Sequence, residues 1–335
     1  MTPIRRLFYL GYYFRKMNWT LLRRFMRHTR SQGGTGALRQ ITAFTADSLR
    51  YNISPLEWYQ FGFVSQTPEQ KATWAGTGTM YEFQRLANPP AERNVLLDKR
   101  RFYQSYCEFF QHSLWAIEEL GADPALVDRI LAENDRLVFK DATGNCGTSV
   151  AIHPSSALSA DKLVDWMREH GFDLVESFAR QHRDLDALSP SGVNTVRIFT
   201  LIDENGNYKI LGCRLRISVN SHVDNLAAGN LAAPVDKSTG VVNGPGVYSD
   251  VTRAPESIHP ITGIPIEGFC IPFWSETLEL VRQASLKHAR NRSVGWDVVI
   301  TEDGPGLIEG NHDWCKLVWQ LPVQRGLKSR LEADE

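Results

Sequence analysis

Gly295-Trp-Asp-Val-Val-Ile-Thr-Glu-Asp-Gly-Pro-Gly-Leu-Ile-Glu-Gly-Asn311 is the stretch on which the reading of this chain turns. Two apolar runs, Trp296 to Ile300 and Gly306 to Ile308, flank Glu302-Asp303-Gly304. That is a three-residue loop with glycine where a type I turn and G1 bulge need positive φ, so the stretch reads as a β-hairpin. With this loop, Asp297 falls directly opposite Glu309, and Asn311 follows on the same face because strand side chains alternate. Like carboxylates facing each other across a ladder are destabilising unless a cation sits between them. Hard oxygen ligands of this kind suit Mg²⁺ or Mn²⁺ carrying substrate phosphates. The competing reading is a two-residue Asp-Gly loop, which slips the register by one and sends the carboxylates to opposite faces as solvated acids.

A second hairpin lies upstream. Asn194-Thr-Val-Arg197-Ile-Phe-Thr-Leu-Ile202 and Tyr208-Lys-Ile-Leu-Gly-Cys-Arg214-Leu-Arg216-Ile217 are joined by a turn at Glu204 to Asn207. Centring that turn on Asn205-Gly206 sets Arg197 opposite Arg214 and Thr195 opposite Arg216 on one face. Val196, Ile198, Cys213, Leu215 and Ile217 then fill the other face and can pack into a core. Three guanidinium groups on one face repel unless they are solvated, paired with acids or holding an anion, and their forks match phosphate and carboxylate geometry.

Between residues 98 and 178 the pattern mixes helix and strand. A helical stretch runs from Asp98-Lys99 through Phe110, and Leu137-Val138-Phe139-Lys140 reads as a short strand opening into Asp141-Ala-Thr-Gly144-Asn145-Cys-Gly147-Thr148. A strand ending in lysine before a Gly-containing loop can set backbone N–H groups and an ammonium against phosphates. A β-turn with two glycines would look the same. Ser159 can cap a helix that runs through His170 and stops at Gly171, and Leu174-Val175-Glu176 begins another strand.

Composition limits the alternatives. The chain has 335 residues, 42% of them hydrophobic and 22% charged, enough for two or three subdomains with cores of their own. Its net charge is −1, but residues 1 to 46 hold nine Lys or Arg and no acid, leaving 28 basic against 38 acidic residues beyond them. Residues 1 to 30 interleave Leu7, Phe8, Leu10, Phe14, Met17, Leu21 and Phe25 with arginines at helical spacing. Such a segment either lies on an anionic membrane surface or packs as a terminal helix on its own domain. Cys107, Cys146, Cys213, Cys270 and Cys315 are odd in number and never paired as C-x-x-C, which points to a reducing cytoplasm rather than a disulfide framework or zinc site. No apolar run is long enough to span a membrane, and no secretory cleavage site follows Leu7 to Phe14. Ser31 to Gly36 reads as a linker, residues 37 to 95 carry helical patches without recognisable chemistry, and no nucleic-acid partner is expected. Oligomeric state is not legible.

Taken in order, Lys99, Lys140 with Gly144 to Gly147, Glu176, Arg197, Arg216, Asp297 and Glu309-Gly-Asn311 resemble the ATP-grasp superfamily. The sugar-transfer-associated branch shares blocks similar to Gln181-His182, Val193 to Arg197, Arg214 to Arg216, Val223-Asp224-Asn225, His259 to Gly263, Gly295 to Asp297 and Ile308 to Asn311. The resemblance spans roughly residues 95 to 325. It implies an α+β fold in which two antiparallel-sheet subdomains clamp ATP: a mainly helical basic extension over 1–95, a small subdomain with the Gly-rich loop over 96–178, and a large one over 179–335. It further implies that Lys99, Lys140, Gly144, Asn145 and Gly147 hold phosphates, and that Glu176, Ser177, Phe178 and Gln181 meet the adenine and ribose. Arg197, Arg214 and Arg216 would be catalytic, Asn194, Asp224, Asn225 and His259 would bind substrate, and Asp297, Glu309 and Asn311 would hold Mg²⁺ or Mn²⁺. Gly295 departs from relatives with a catalytic arginine two residues before the metal aspartate, so Arg214 or Arg216 would supply that charge.

The activity so implied is an ATP-dependent carboxylate–amine ligation through an acyl phosphate, joining a cell-surface sugar acid to an amine in polysaccharide biosynthesis. A phosphotransferase on the same fold, a non-catalytic nucleotide-binding scaffold, and a metal hydrolase using His312 and Asp313 are the alternatives. The expected location is cytoplasmic, with peripheral membrane contact through residues 1 to 30 if that segment lies on the bilayer.

Overall fold

A computed structural model describes residues 3–144, 150–222 and 224–332. The architecture is α+β, with two wholly antiparallel sheets. The smaller has four strands in the order β1-β4-β2-β3: β1 Leu114–Ala116, β2 Arg136–Lys140, β3 Val150–Pro154 and β4 Leu174–Ser177. The larger has five in the order β7-β6-β5-β8-β9: β5 Thr195–Ile202, β6 Tyr208–Ile217, β7 Leu231–Val235, β8 Gly295–Thr301 and β9 Gly304–Asn311. Among the described residues, no helix is long and apolar enough to cross a membrane.

Both diagnostic hairpins form, each by a route the sequence did not disclose. In β8–β9, Thr301 pairs with Gly304, so the turn holds two residues and Gly304 takes a φ of 122°. That register alone would separate the carboxylates, but a bulge at Ile308 restores the offset, and Asp297 pairs with Glu309 and Gly295 with Asn311. In β5–β6 the turn is longer than expected, since Ile202 pairs with Tyr208, and Asn205 and Asn207 backbone N–H groups each donate to Asp203 Oδ1 at 2.9 Å. A bulge between Phe199 and Thr200 again brings Arg197 opposite Arg214. The helix expected from Ser159 starts only at Leu163, and the Ser159 hydroxyl, instead of accepting from a backbone N–H as a cap would, donates to Asp161.

Every residue of β5 is buried. One face packs Val196, Ile198, Cys213, Leu215 and Ile217 against Val281 and Ala284 of the helix Trp274–Lys287, as the apolar alternation predicts. The other face packs Phe199, Leu201 and Leu211 under Trp314 and Trp319 at the C-terminal end. The helix Lys99–Tyr106 reaches across from the smaller unit, burying Phe102 and Tyr106 beside Trp296 of β8.

Residues 3 to 31 form two helices, α1 Pro3–Arg15 and α2 Trp19–Ser31, joined by Lys16 to Asn18. Their inner side chains Leu22 and Phe25 are buried against Phe44 of α3 (Ala37–Tyr51) and Trp58 and Tyr59 of α4 (Pro55–Gln60), and buried Tyr13 donates its hydroxyl to Asn52 at 3.1 Å. The segment therefore packs on its own domain through one face while leaving the other exposed. Glu57 with Lys316 at 2.8 Å, Gln84 Nε2 to the Trp314 carbonyl and Asn88 Nδ2 to the Ser293 and His312 carbonyls tie this extension to the large sheet.

Candidate active site

The two sheets face each other across one cleft. Lys99, His112, Val138, Lys140 and Glu176 to Ala179 line it from the smaller unit; Thr195, Arg216, His222, Asp224, Asn225, Asp297 and Glu309 line it from the larger. Val138, Ile152, Phe178 and Ile308 supply apolar wall between the charges, the composition that suits a flat base attached to an anionic tail.

On the small sheet, Lys140 ends β2 and pairs with Glu176 from the adjacent β4. Burial alone would raise the Glu176 carboxyl, but Lys140 and His112 beside it hold it down at about 2. His112 Nε2 stands 3.5 Å from Glu176 Oε2, and its Nδ1 is buried without a hydrogen-bond partner among the described residues. Lys99 Nζ donates to the carbonyls of Asp141 at 3.1 Å and Gly144 at 2.6 Å, so it fastens the base of the Gly-rich loop. Burial lowers the Lys99 ammonium's pKa, with Glu309 opposing that shift across the cleft. Asn145 and Gly147, assigned to phosphate binding from the sequence, lie outside the described residues. Ser177 Oγ accepts from the Ser113 N–H at 2.9 Å, and the Phe178 ring carries the Arg136 guanidinium 4.2 Å from its centroid.

On the large sheet, charge is organised as a chain. Arg197 grips both oxygens of Asp297, Arg216 Nη1 donates to Asp297 Oδ2 at 2.7 Å, and Arg216 Nη2 reaches Asp224 Oδ1 at 2.6 Å. Asp224 in turn accepts from the backbone N–H and hydroxyl of Thr195. The arginine face is thus neither solvated nor free: acids from β8 and from the loop after β6 meet it. Burial would raise the Asp297 carboxyl, yet Arg197 and Arg216 drive it far below the ordinary range. Glu309 has the opposite fate, since burial and then Asp297 push its carboxyl up.

That asymmetry is what tests the metal reading. Among the described residues, no Lys or Arg lies within ion-pair distance of Glu309, while Asn311 Nδ2 donates to its Oε1 at 3.0 Å. Three carboxylates, Asp224, Asp297 and Glu309, meet two guanidinium groups, and Glu309, whose carboxyl burial and Asp297 push up, is the one left without a cation. Two opposed carboxylates and an amide fit a hard divalent cation. No cluster of three or more His, Cys, Asp or Glu that could hold a metal occurs among the described residues, so His312 and Asp313 do not extend this set.

Arg197 and Asn311 meet the cleft only through Asp297 and Glu309, and four more of the residues singled out from the sequence stand behind it. Arg214 is buried and donates to the Trp319 carbonyl through Nε at 3.0 Å and through Nη2, and to the Cys213 carbonyl at 2.6 Å. It shares a sheet face with Arg197 but is sealed beneath the helix Lys316–Gln320, and this burial lowers its pKa to about 10. Gln181 Oε1 accepts from Asn194 N at 3.0 Å and Nδ2 at 2.9 Å, and Asn194 Oδ1 accepts from Ser218 N at 2.9 Å. His259 Nδ1 accepts from the Thr262 N–H at 3.2 Å, which leaves Nε2 to donate to the Ser218 carbonyl at 2.9 Å. These three pin the end of β6 and so aim Arg216.

Sequence reasoning missed His112 and His222, both in the cleft wall. No local spacing marks either one; His112 precedes a three-residue strand, and His222 lies in a loop.

Among solved structures, the chain is similar to D-alanyl-alanine synthetase A from Vibrio cholerae O1 biovar eltor str. N16961, at 10% identity over 70% of this chain and 61% of that one, with a TM-score of 0.41. It is also similar to D-cycloserine synthetase DcsG, at 15% identity over 84% and 82% of the two chains and a TM-score of 0.42. A biotin carboxylase from Campylobacter jejuni matches at 11% identity over 70% of this chain and 47% of that one, with a TM-score of 0.43. The chain thus spans less than two thirds of the Vibrio and Campylobacter proteins. No curated protein matches it. The family model described as sugar-transfer associated ATP-grasp matches residues 80–335, the whole of both sheets and the cleft between them, and the chain belongs to that family.

Proposed function

We propose that the protein is an ATP-dependent carboxylate–amine ligase that joins a sugar acid to an amine through an acyl phosphate. The observation that carries this reading is the position of Arg216. One guanidinium touches both Asp297, beside the metal-type ligands, and Asp224, at the opposite side of the same cleft wall. A cation for an acceptor carboxylate therefore stands next to where the terminal phosphate would lie.

Lys99 and Lys140 would bind the triphosphate from the small sheet, Lys140 exchanging its partner Glu176 for phosphate oxygens. Arg216 would hold the acceptor carboxylate in line with the terminal phosphorus. A carboxylate oxygen attacks that phosphorus, the bond to the bridging oxygen breaks, and ADP leaves. The amine lone pair then attacks the acyl carbon, phosphate departs, and the amine gives up a proton. A divalent cation held by Asp297, Glu309 and Asn311 would neutralise charge on the transferred phosphate. The thiols Cys107, Cys213, Cys270 and Cys315 are free, consistent with a cytoplasmic reaction.

One observation favours a phosphotransferase as second reading: His222, in the cleft beside Asp224, offers a base for an acceptor hydroxyl. The test is turnover of sugar acids against an amine panel with ATP and Mg²⁺, with hydroxylamine as an alternative nucleophile. Ligation yields ADP, phosphate and, with hydroxylamine, a hydroxamate. A stable phosphorylated sugar formed without amine and inert to hydroxylamine transfers the assignment to the kinase.

A further inference from the structure

The N-terminal extension carries two adjoining concavities that share no lining residue with the cleft. The first, of about 740 Å³, is lined by Arg5, Arg6, Arg50 and Lys328 against Glu69 and Glu82. Cations outnumber acids there, and Glu82 is engaged by Tyr9 at 2.7 Å, Arg85 at 3.7 Å and, at 4.0 Å, Arg5 itself, which leaves Arg50 and Lys328 without an acidic partner among the described residues. Arg6 Nη1 donates to the Leu49 and Arg50 carbonyls at 3.1 and 2.8 Å, which fixes the wall. Its buried Nε has no hydrogen-bond partner among the described residues. A buried guanidinium N–H without an acceptor is costly, and an anion seated beside it would relieve that cost.

The second concavity, of about 500 Å³, shares Arg5 and Glu82 with the first and is walled by Phe8, Tyr9, Tyr12 and Tyr81. Phe8 is 76% exposed and Leu7, beside it on α1, 59%. Contiguous apolar exposure rimmed by charge marks an interaction site. Aromatic rings and arginine stems next to a cationic pocket match the layering of a bilayer surface, with phosphates outside and acyl chains beneath. Arg5, Arg6, Arg50 and Lys328 against Glu69 and Glu82 leave this corner net positive, which draws it towards a negatively charged surface.

We propose that this corner of the extension docks on an anionic phospholipid bilayer, a lipid phosphate entering the Arg5–Arg50–Lys328 pocket while Phe8, Tyr12 and Tyr81 settle among the headgroups. The inference is independent of the reaction assigned to the cleft. Deleting residues 1 to 30 would not test it, because that also strips Tyr13, Leu22 and Phe25 from the interior. The full chain should instead be floated with phosphatidylcholine vesicles made with and without phosphatidylglycerol, at low salt.

Binding is expected only to the anionic vesicles, weakening about fivefold for each cation removed in Arg5→Gln, Arg50→Gln and Lys328→Gln. Phe8→Ser should weaken it further, Arg50→Lys should bind like the parent, and the thermal midpoints should match. Equal binding to neutral vesicles, no binding, or full binding by the triple variant would overturn the proposal. So would competition by soluble glycerol phosphate at matched concentration, which assigns the pocket to a free phosphate. A concentration-dependent dimer lost in the same variants would give the face to a second copy and overturn it as well.

Discussion

Glu309 stands directly opposite Asp297 in the β8–β9 ladder because a bulge at Ile308 corrects the register of a two-residue turn. Asp297 is gripped by Arg197 and Arg216, whereas Glu309 is left with the amide of Asn311. Replacing Glu309 by Gln removes charge at near-constant volume. We expect Mg²⁺-dependent ATP turnover to be abolished and the circular dichroism and thermal midpoint to be retained. Parental turnover in this variant would remove Glu309 from the metal site.

The arginines should separate by function. Arg216→Ala removes a cleft cation, and Arg197→Ala releases Asp297, so each should cost on the order of 10² or more in kcat/KM. Arg214→Ala should instead orphan the buried Trp319 carbonyl, lowering stability by about 2–3 kcal/mol while kcat/KM per folded molecule stays within about twofold. Denaturant unfolding and steady-state kinetics on the same preparations decide it; an Arg214 effect confined to kinetics would return that residue to the catalytic group.

His112 is expected to take part in nucleotide binding, because its Nδ1 is buried without a hydrogen-bond partner among the described residues and it lines the cleft beside Glu176. His112→Phe should raise the Kd for ADP about tenfold, the worth of one buried hydrogen bond. Isothermal titration measures this without turnover. An unchanged Kd would leave His112 a packing residue.

Acid stability should report the Lys140–Glu176 pair. The Glu176 carboxyl titrates near about 2 in the folded protein and near ~4.3 when unfolded. A depressed folded value means that the unfolded chain binds the proton first as pH falls. The carboxylate's net contribution with Lys140 and His112 around it, on the order of 3 kcal/mol, is therefore present above the unfolded value and lost between roughly pH 4.5 and 2. Glu176→Gln should flatten the pH dependence of the unfolding free energy in that window; an identical slope in both proteins would show that the pair does not govern it.

What the sequence determined by itself was local. Both hairpins and the apolar face of β5 and β6 follow from alternation and turn residues within a few positions of one another, whereas the meeting of Asp297 with Glu309 also needs the bulge at Ile308. The ordered motifs from Lys99 to Asn311 carried the family likewise. The tertiary structure alone decided which polar side chains face the cleft. Arg214 and Arg216 are two residues apart on one strand, yet the helix Lys316–Gln320 seals the first while Asp297 and Asp224 claim the second. Gln181, Asn194 and His259 brace the end of β6, and His112 enters the cleft from the bend before the three-residue strand β1. Those outcomes depend on partners brought together across long stretches of chain. Periodicity records which face of a strand a residue occupies, but not what packs on that face.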